Sequence, residues 1–188
     1  MNRIESVFET FPIIESERLS FREFRAKDVD FIFELHRKEE MMMYQGQQAF
    51  KSRDQAVKKL EFIQQGYAKK YVLWWALEKK STKELIGHFA LHHFDLRNHK
   101  IEVGISIYNQ FKKLGYGYEA LERGCHFLFR FDNLNRIEAS IHSKNQASIS
   151  LFKKMGFICE GLREEFVYNA DESKYEDRYL YRLLKKDD

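Results

Sequence analysis

The apolar positions along the chain change period from segment to segment. "ERLSFREF" (17–24) alternates, with Leu19 and Phe21 on one side, and reads as a strand. "KDVDFIFELH" follows as a first helix. In "SRDQAVKKLEFIQQGYAKK" the residues Ala56, Leu60, Ile63 and Tyr67 fall on one helical stripe, and Ser52 with Gln55 three residues on forms a capping-box pattern. "YVLWWALEKKSTKELIGHFALHHF" predicts two strands joined by a polar turn around Ser81–Lys83. "KIEVGISI" alternates cleanly, with Ile101, Val103, Ile105 and Ile107 on one face and Lys100, Glu102, Gly104 and Ser106 on the other.

A glycine-bearing stretch comes next, then "YEALERGCHFLFRF" as a helix. Its Leu121, Cys125 and Leu128 face inward, and Glu119, Arg123 and Arg130 form a polar stripe. "NRIEASIH" is another strand, with Ile137, Ala139 and Ile141 on one face. "NQASISLFKKMGF" is a short helix that Asn145 caps, Lys153 and Lys154 suit at the C-terminal dipole, and Gly156 stops. "YEDRYLYRLL" closes the chain as a strand. The three middle strands suit an antiparallel meander, because short turns cannot join parallel strands. The strand–helix–strand unit from Ile101 to His142 suits a parallel, right-handed crossover. The fold class is therefore α/β (α+β), with a sheet of mixed direction.

Composition narrows the function classes. A chain of 188 residues fits one domain, 1–188, with a sizeable core. A net charge of +3 with no run of like charges does not argue for nucleic acid. Two cysteines, Cys125 and Cys159, without CxxC or Cys/His ligand spacing, imply free thiols in a reducing compartment and no metal. The N-terminal stretch lacks a signal-peptide apolar core, and the longest apolar run, "VLWWAL" (72–77), is too short to span a bilayer. The protein is expected to be cytoplasmic, without membrane or direct nucleic-acid partners.

One stretch carries chemistry. "FKKLGYGYEAL" (111–121) sets Gly115 and Gly117 ahead of a helix, with Lys112 and Lys113 just upstream. The first amides of a helix have no internal partners, and the helix dipole favours negative charge there. There is no G-x-x-x-x-G-K-[ST] and no G-x-G-x-x-G, so neither a nucleoside triphosphate loop nor a dinucleotide fold is supported. Residue chemistry alone leaves a tight turn and an anion cradle both open.

At these residues the sequence resembles the GNAT acyltransferase superfamily, and its Rim-type branch most closely. "KKLGYG" (112–117) resembles the superfamily loop Gln/Arg-x-x-Gly-x-Gly/Ala, and "WWALEKKSTKELIGHFAL", "NHKIEVGISI" and "NRIEASIHSKNQASISLFKKMGF" resemble segments of the branch in the same order. "EGLREEF" followed by "YEDRYLY" resembles its tail, so the likeness runs roughly from Glu15 to Lys185. The resemblance implies a sheet flanked by helices with a V-shaped split between two central parallel strands, "KIEVGISI" and "NRIEASIH". It implies that acetyl-CoA enters the split, its pantetheine arm lying along the first strand and its pyrophosphate on the amides of Lys112, Lys113, Leu114, Gly115, Tyr116, Gly117 and Tyr118. Two departures stand out: Lys112 replaces the usual Gln or Arg, and Lys113 stands where the branch often has glycine.

The reaction implied is transfer of acetyl from a thioester to a neutral amine, with a stabilised oxyanion and an assisted leaving thiolate. Glu102 matches the branch's acidic residue as proton acceptor, a backbone N–H near Ile105, Ser106 or Ile107 would hold the oxyanion, and Ser148 would assist the thiolate. Phe152 occupies the position where many superfamily members have a tyrosine, and Asn145 is expected both to cap its helix and to touch the cofactor. The acceptor is expected to be a protein N-terminal α-amine, with a small amine as the alternative; a protein acceptor predicts a shallow groove open at both ends, a small one a closed pocket. A coenzyme A-binding module without turnover stays open too, on the strength of Lys112, Lys113 and Phe152; an RNA-binding domain lacks the aromatic strand motif it would need. The chain is expected to act as a monomer or homodimer. His88, His92 and His93 read as structural or surface histidines rather than a metal cluster, and Cys125 as a buried inert thiol. "EEMMMYQ" (39–45) lies, by the resemblance, beside the acceptor site, although Met41 to Tyr44 equally suit core.

Overall fold

The computed structural model describes residues 2–169 and 172–185. Eight strands form one sheet: β1 (Ile14–Glu15), β2 (Leu19–Arg22), β3 (Leu73–Lys79), β4 (Leu85–Asp95), β5 (Lys100–Ile107), β6 (Arg136–His142), β7 (Ile158–Asn169) and β8 (Lys174–Leu184). They lie in the order β1-β2-β3-β4-β5-β6-β8-β7, and every neighbouring pair is antiparallel except β5 with β6. Five helices are α1 (Val29–His36), the single turn α2 (Glu39–Met42), α3 (Arg53–Ala68), α4 (Tyr116–Leu128) and α5 (Gln146–Lys154).

Alternation along β3 explains its unbroken apolar run. Leu73, Trp75 and Leu77 enter one core with Phe89, Leu121, Leu128 and Ile137, whereas Trp74 and Ala76 enter a second with Ala56, Leu60 and Ile63 of α3 and Ile32 of α1. A strand covered on both faces has no polar side to show. The predicted caps form: the Gln55 side chain accepts the Ser52 amide at 3.1 Å, and Asn145 accepts the Ser148 amide at 3.1 Å. Arg22 is buried between Asp28 and Glu78, with 2.7 Å contacts to each, and ties the start of α1 to the sheet.

The meander β3-β4-β5 and the parallel crossover through α4 are as the pattern predicts. The parallel ladder is short: Lys100, Ile101 and Glu102 pair with Arg136, Ile137 and Glu138, and nothing beyond them pairs. β6 turns instead toward β8, to which it stays joined through His142↔Arg178. The two strands therefore part like a V, leaving β5 from Val103 to Ile107 without a neighbour on that side. β1, α2 and β7 are not among the elements the pattern predicts. β7 is an edge strand exposed along most of its length, interrupted by register shifts at Cys159/Gly161 and Arg163/Val167, with Ile158, Leu162, Phe166 and Tyr168 turned to solvent.

Candidate active site

A single cavity of about 320 Å³ runs from the split into a chamber beneath α1, α2 and α3. Ile105, Ser106, Ala139 and Ser140 wall its first part, and Asn145, Ser148 and Phe152 of the α5 region close one side. Among the described residues, the Ser148 hydroxyl has no hydrogen-bond partner; only its amide is held, by Asn145. Phe152 is buried against Phe157, with ring centroids 4.9 Å apart.

Beside the split, the chain between β5 and α4 forms a concave run of amides. A tight turn through Asn109–Phe111 ends with the Lys112 amide donating to Asn109 at 3.1 Å, so that amide is already used, contrary to the expectation that the cradle begins there. Lys113 (φ 62°) and Gly115 (φ 85°) both take the left-handed conformation, which turns successive N–H groups the same way. Among the described residues no protein acceptor meets the amides of Lys113 to Tyr118; the first α4 amide with one is Glu119, bonded to the Gly115 carbonyl at 3.1 Å. Lys113 carries a Cβ in a left-handed conformation that favours glycine, at a cost of roughly 1–2 kcal/mol. Arg18 braces the loop from outside: it donates to the Leu114 carbonyl (3.1 Å) and to Glu119 (2.6 Å), and lies 4.4 Å over the Tyr116 ring. Burial holds the Lys112 pKa below the ordinary lysine range, with Glu40 opposing the shift. Six free amides at a helix start with two lysines fit a pyrophosphate, and the unpaired edge of β5 fits an extended pantetheine arm.

The deeper chamber is aromatic and imidazole-lined. Trp74 stacks on His88 (4.5 Å) and meets His92 edge-on (5.4 Å), and His36 lies parallel to His88 at 6.4 Å with Phe50 on its other face. His36 Nδ1 lies 2.8 Å from the Ile32 carbonyl, which can only accept, so Nδ1 carries the proton and Nε2 keeps its lone pair. Burial pushes the pKa of His36 and of His92 down to about 4 and that of His88 well below the ordinary value, so all three are neutral at pH 7. Lys59 of α3 reaches in, its ammonium 4.3 Å from the Trp74 ring, and burial lowers its pKa to about 8. On the opposite side, His142 accepts the Lys144 amide (3.0 Å) and faces Glu176 (3.3 Å), while Arg178 contacts the same carboxylate (3.5 Å) and donates to the Tyr44 carbonyl (2.9 Å). That last bond ties the segment after α2, at the chamber mouth, to β8.

Of the residues singled out in the sequence, Ile105, Ser106, Asn145, Ser148 and Phe152 converge on the cavity. Ile107 is buried at the far end of β5, where the split is open, 3.7 Å from where a Cβ on Gly117 would stand. Glu102 is not part of the lining; it lies near the start of β5 and bonds His93 at 3.1 Å. His93 is a surface residue and His88 is buried and stacked on Trp74, in keeping with the reading of structural or surface histidines; that His88 and His92 also line the chamber is not part of that reading. Among the described residues no group of three or more His, Cys, Asp or Glu side chains is placed to hold a metal ion. Cys125 is buried, with its thiol pKa pushed up to about 12. Trp74, His36 and Lys59 carried no signal of a site on their own elements, although Lys59 could have been noticed as a lysine within the apolar stripe Ala56–Ile63.

This fold and split define an acetyltransferase, and residues 18–158 match the acetyltransferase (GNAT) domain family. The chain belongs to that family and is an acetyl-CoA-dependent N-acetyltransferase. It is 30% identical over 175 residues to the uncharacterized N-acetyltransferase YoaA of Bacillus subtilis (93% of this chain, 98% of the relative) and 24% identical to a spermidine N(1)-acetyltransferase of Vibrio cholerae (91% and 96%). Its fold resembles RimL, a ribosomal L7/L12 α-N-protein acetyltransferase in complex with coenzyme A, with TM-score 0.79 at 18% identity (92% of this chain, 98% of that one). The likeness to Rim-type enzymes seen in the sequence is thus matched in the fold. Among the described residues no helix is long and apolar enough to cross a membrane.

Reversing both charges of the cradle, Lys112→Glu with Lys113→Glu, should weaken coenzyme A binding about 10- to 100-fold, measured by calorimetric titration. An affinity unchanged by the reversal would mean that the pyrophosphate lies elsewhere.

Proposed function

We propose that the acceptor is the α-amine at the start of a polypeptide, with its first residue inside the chamber. One observation carries this reading: the split and the chamber form a single cavity, so a thioester in the first part meets an amine in the second. The inner end is closed by buried Trp74, His88 and Ala90, so the site is not the groove open at both ends expected of a protein acceptor; in this reading the closed end takes about one residue and the rest of the polypeptide lies outside the mouth. The mouth is rimmed by exposed Gln45, Gln47 and Phe62, which offer amide and ring contacts to the residues that follow.

In this reading the amides from Lys113 to Tyr118 hold the pyrophosphate, and β5 from Ile105 to Ile107 lies along the pantetheine arm and supplies an N–H to the carbonyl oxygen. Acetyl-CoA supplies the activated acetyl group. Ser148, its hydroxyl uncommitted, donates toward the sulfur, and Asn145 fixes that serine by its cap. His92 takes the amine proton as the new bond makes the nitrogen acidic; its Nε2 lies 3.8 Å from where a Cβ on Gly104 would stand, beside the wall of the split. Glu102, bonded to His93, is a step removed from the cavity and serves as a second acceptor through water.

The test is acetylation of short peptides against small amines of the same terminal structure, followed by thiol release. Peptides should exceed the matched free amines in kcat/KM. Exclusive turnover of free amines would replace the polypeptide by a small-molecule acceptor. His92→Ala should lower kcat about tenfold, a small effect for a general base because burial makes this imidazole a weak one; an unchanged kcat would remove His92 from the reaction.

A further inference from the structure

We infer that the chamber selects an acceptor carrying an anionic group a few bonds from its amine, and that Lys59 is the residue that pairs with it. The inference rests on the reading of the chamber as the acceptor site.

The chamber is unbalanced in charge. Among the described residues, no Asp or Glu side chain belongs to the cavity lining. The cations there are Lys59 and Arg178, and Arg178 already faces the Glu176 carboxylate. Lys59 has no such partner: among the described residues it makes no ion pair and no hydrogen bond, only ring contacts with Trp74 (4.3 Å) and Phe62 (5.2 Å). Around it stand the neutral imidazoles of His36, His88 and His92.

A second observation points the same way. The indole N–H of Trp74, the ring beneath Lys59, is buried and meets no acceptor, and Trp74 itself is 8% exposed. A half-buried ammonium without a counter-ion, over a ring whose buried N–H lacks an acceptor, fits a carboxylate or phosphate brought by the acceptor. A polyamine would instead place a second cation beside Lys59 with no carboxylate in the lining to hold it. The anion could be the side chain of an acidic first residue or the carboxylate of a small amino acid; the chemistry is shared, and the test separates the two.

Acetylation rates would be compared for peptides beginning with Asp, Asn or Lys, and for free aspartate, β-alanine, propylamine and spermidine. Asp-first peptides should exceed Asn-first ones by about 10- to 100-fold in kcat/KM. Lys59→Gln should erase that preference mainly through KM, and Lys59→Arg should keep part of it. A preference for Asn- or Lys-first peptides or for spermidine, or a preference that survives Lys59→Gln, would overturn the proposal and leave the polypeptide reading standing. Turnover of aspartate and β-alanine but not of peptides would support the anion site and end the polypeptide reading. A binding measurement decides the matter independently of turnover: succinate titrated into the coenzyme A complex should bind the wild type and bind Lys59→Gln at least tenfold more weakly. Absent or equal binding would sink the proposal.

Discussion

Replacing Gly87 with alanine should destabilise the protein by about 3 kcal/mol and abolish coenzyme A binding. A Cβ at this position would stand 2.0 Å from the Ser106 carbonyl oxygen and 3.0 Å from the Ile107 Cα. These are backbone atoms, so no rotamer change relieves the contact; β5 itself must move. Gly87 pairs with Ile107 across the β4–β5 ladder, directly behind the arm of the split. The displacement would fall on Ile107 and on Ser106, which walls the slot for the pantetheine arm. Denaturant unfolding would give the stability change, and thermal melting with and without acetyl-CoA the loss of binding. A variant that melts like the wild type and keeps its ligand-induced shift would show that the slot does not depend on this close approach.

Acidification should weaken the fold well before its carboxylates titrate. His36 is buried and has its pKa lowered to about 4, against about 6.5 when unfolded. Between those values the unfolded chain binds a proton that the folded chain refuses, so stability falls as pH falls from about 6.5 and levels off below about 4. At about 1.4 kcal/mol per pKa unit, His36 alone accounts for about 3 kcal/mol. His92 and His88 shift in the same direction, and the Lys59 charge facing all three adds to the penalty on a further cation. Carboxylates held low, such as Glu119 beside Arg18, contribute only below their unfolded values near 4.5. Denaturant unfolding at pH 7, 6, 5 and 4 should trace the loss, and His36→Phe should flatten the curve. A profile flat from pH 7 to 5 would mean that the imidazoles take up protons in the folded state.

What the sequence made legible follows periodicity and local chemistry. The alternation in "KIEVGISI" and "NRIEASIH" is strong because both strands pack apolar side chains against α4 and α5. The cap at Ser52 and the paired glycines at 115 and 117 are local signals, readable without knowing the fold. β7 escaped because an edge strand exposed on both faces has no alternation to display. The chamber escaped for a different reason. It takes one to three residues each from α1, α2, α3, β3, β4 and the segment after α2, and on its own element each resembles ordinary core or surface. His88 and His92 share a strand face in the sequence, but only the packing of α3 and Trp74 against that face makes them a wall. Lys59 carries no signal of its own in the sequence, and only its place over the Trp74 ring gives it a chamber to face.

The irregular course of β7 bears on how the protein behaves at high concentration. A twelve-residue edge with Ile158, Leu162, Phe166 and Tyr168 in solvent offers a template on which another chain could zip up. Two breaks in register and the side chains of Glu160, Arg163, Glu164 and Glu165 interrupt that template. Straightening the strand by removing Arg163, Glu164 and Glu165 would join its apolar stretches into a flat, sticky rim, and the expected product is a protein that folds, binds its ligand and precipitates.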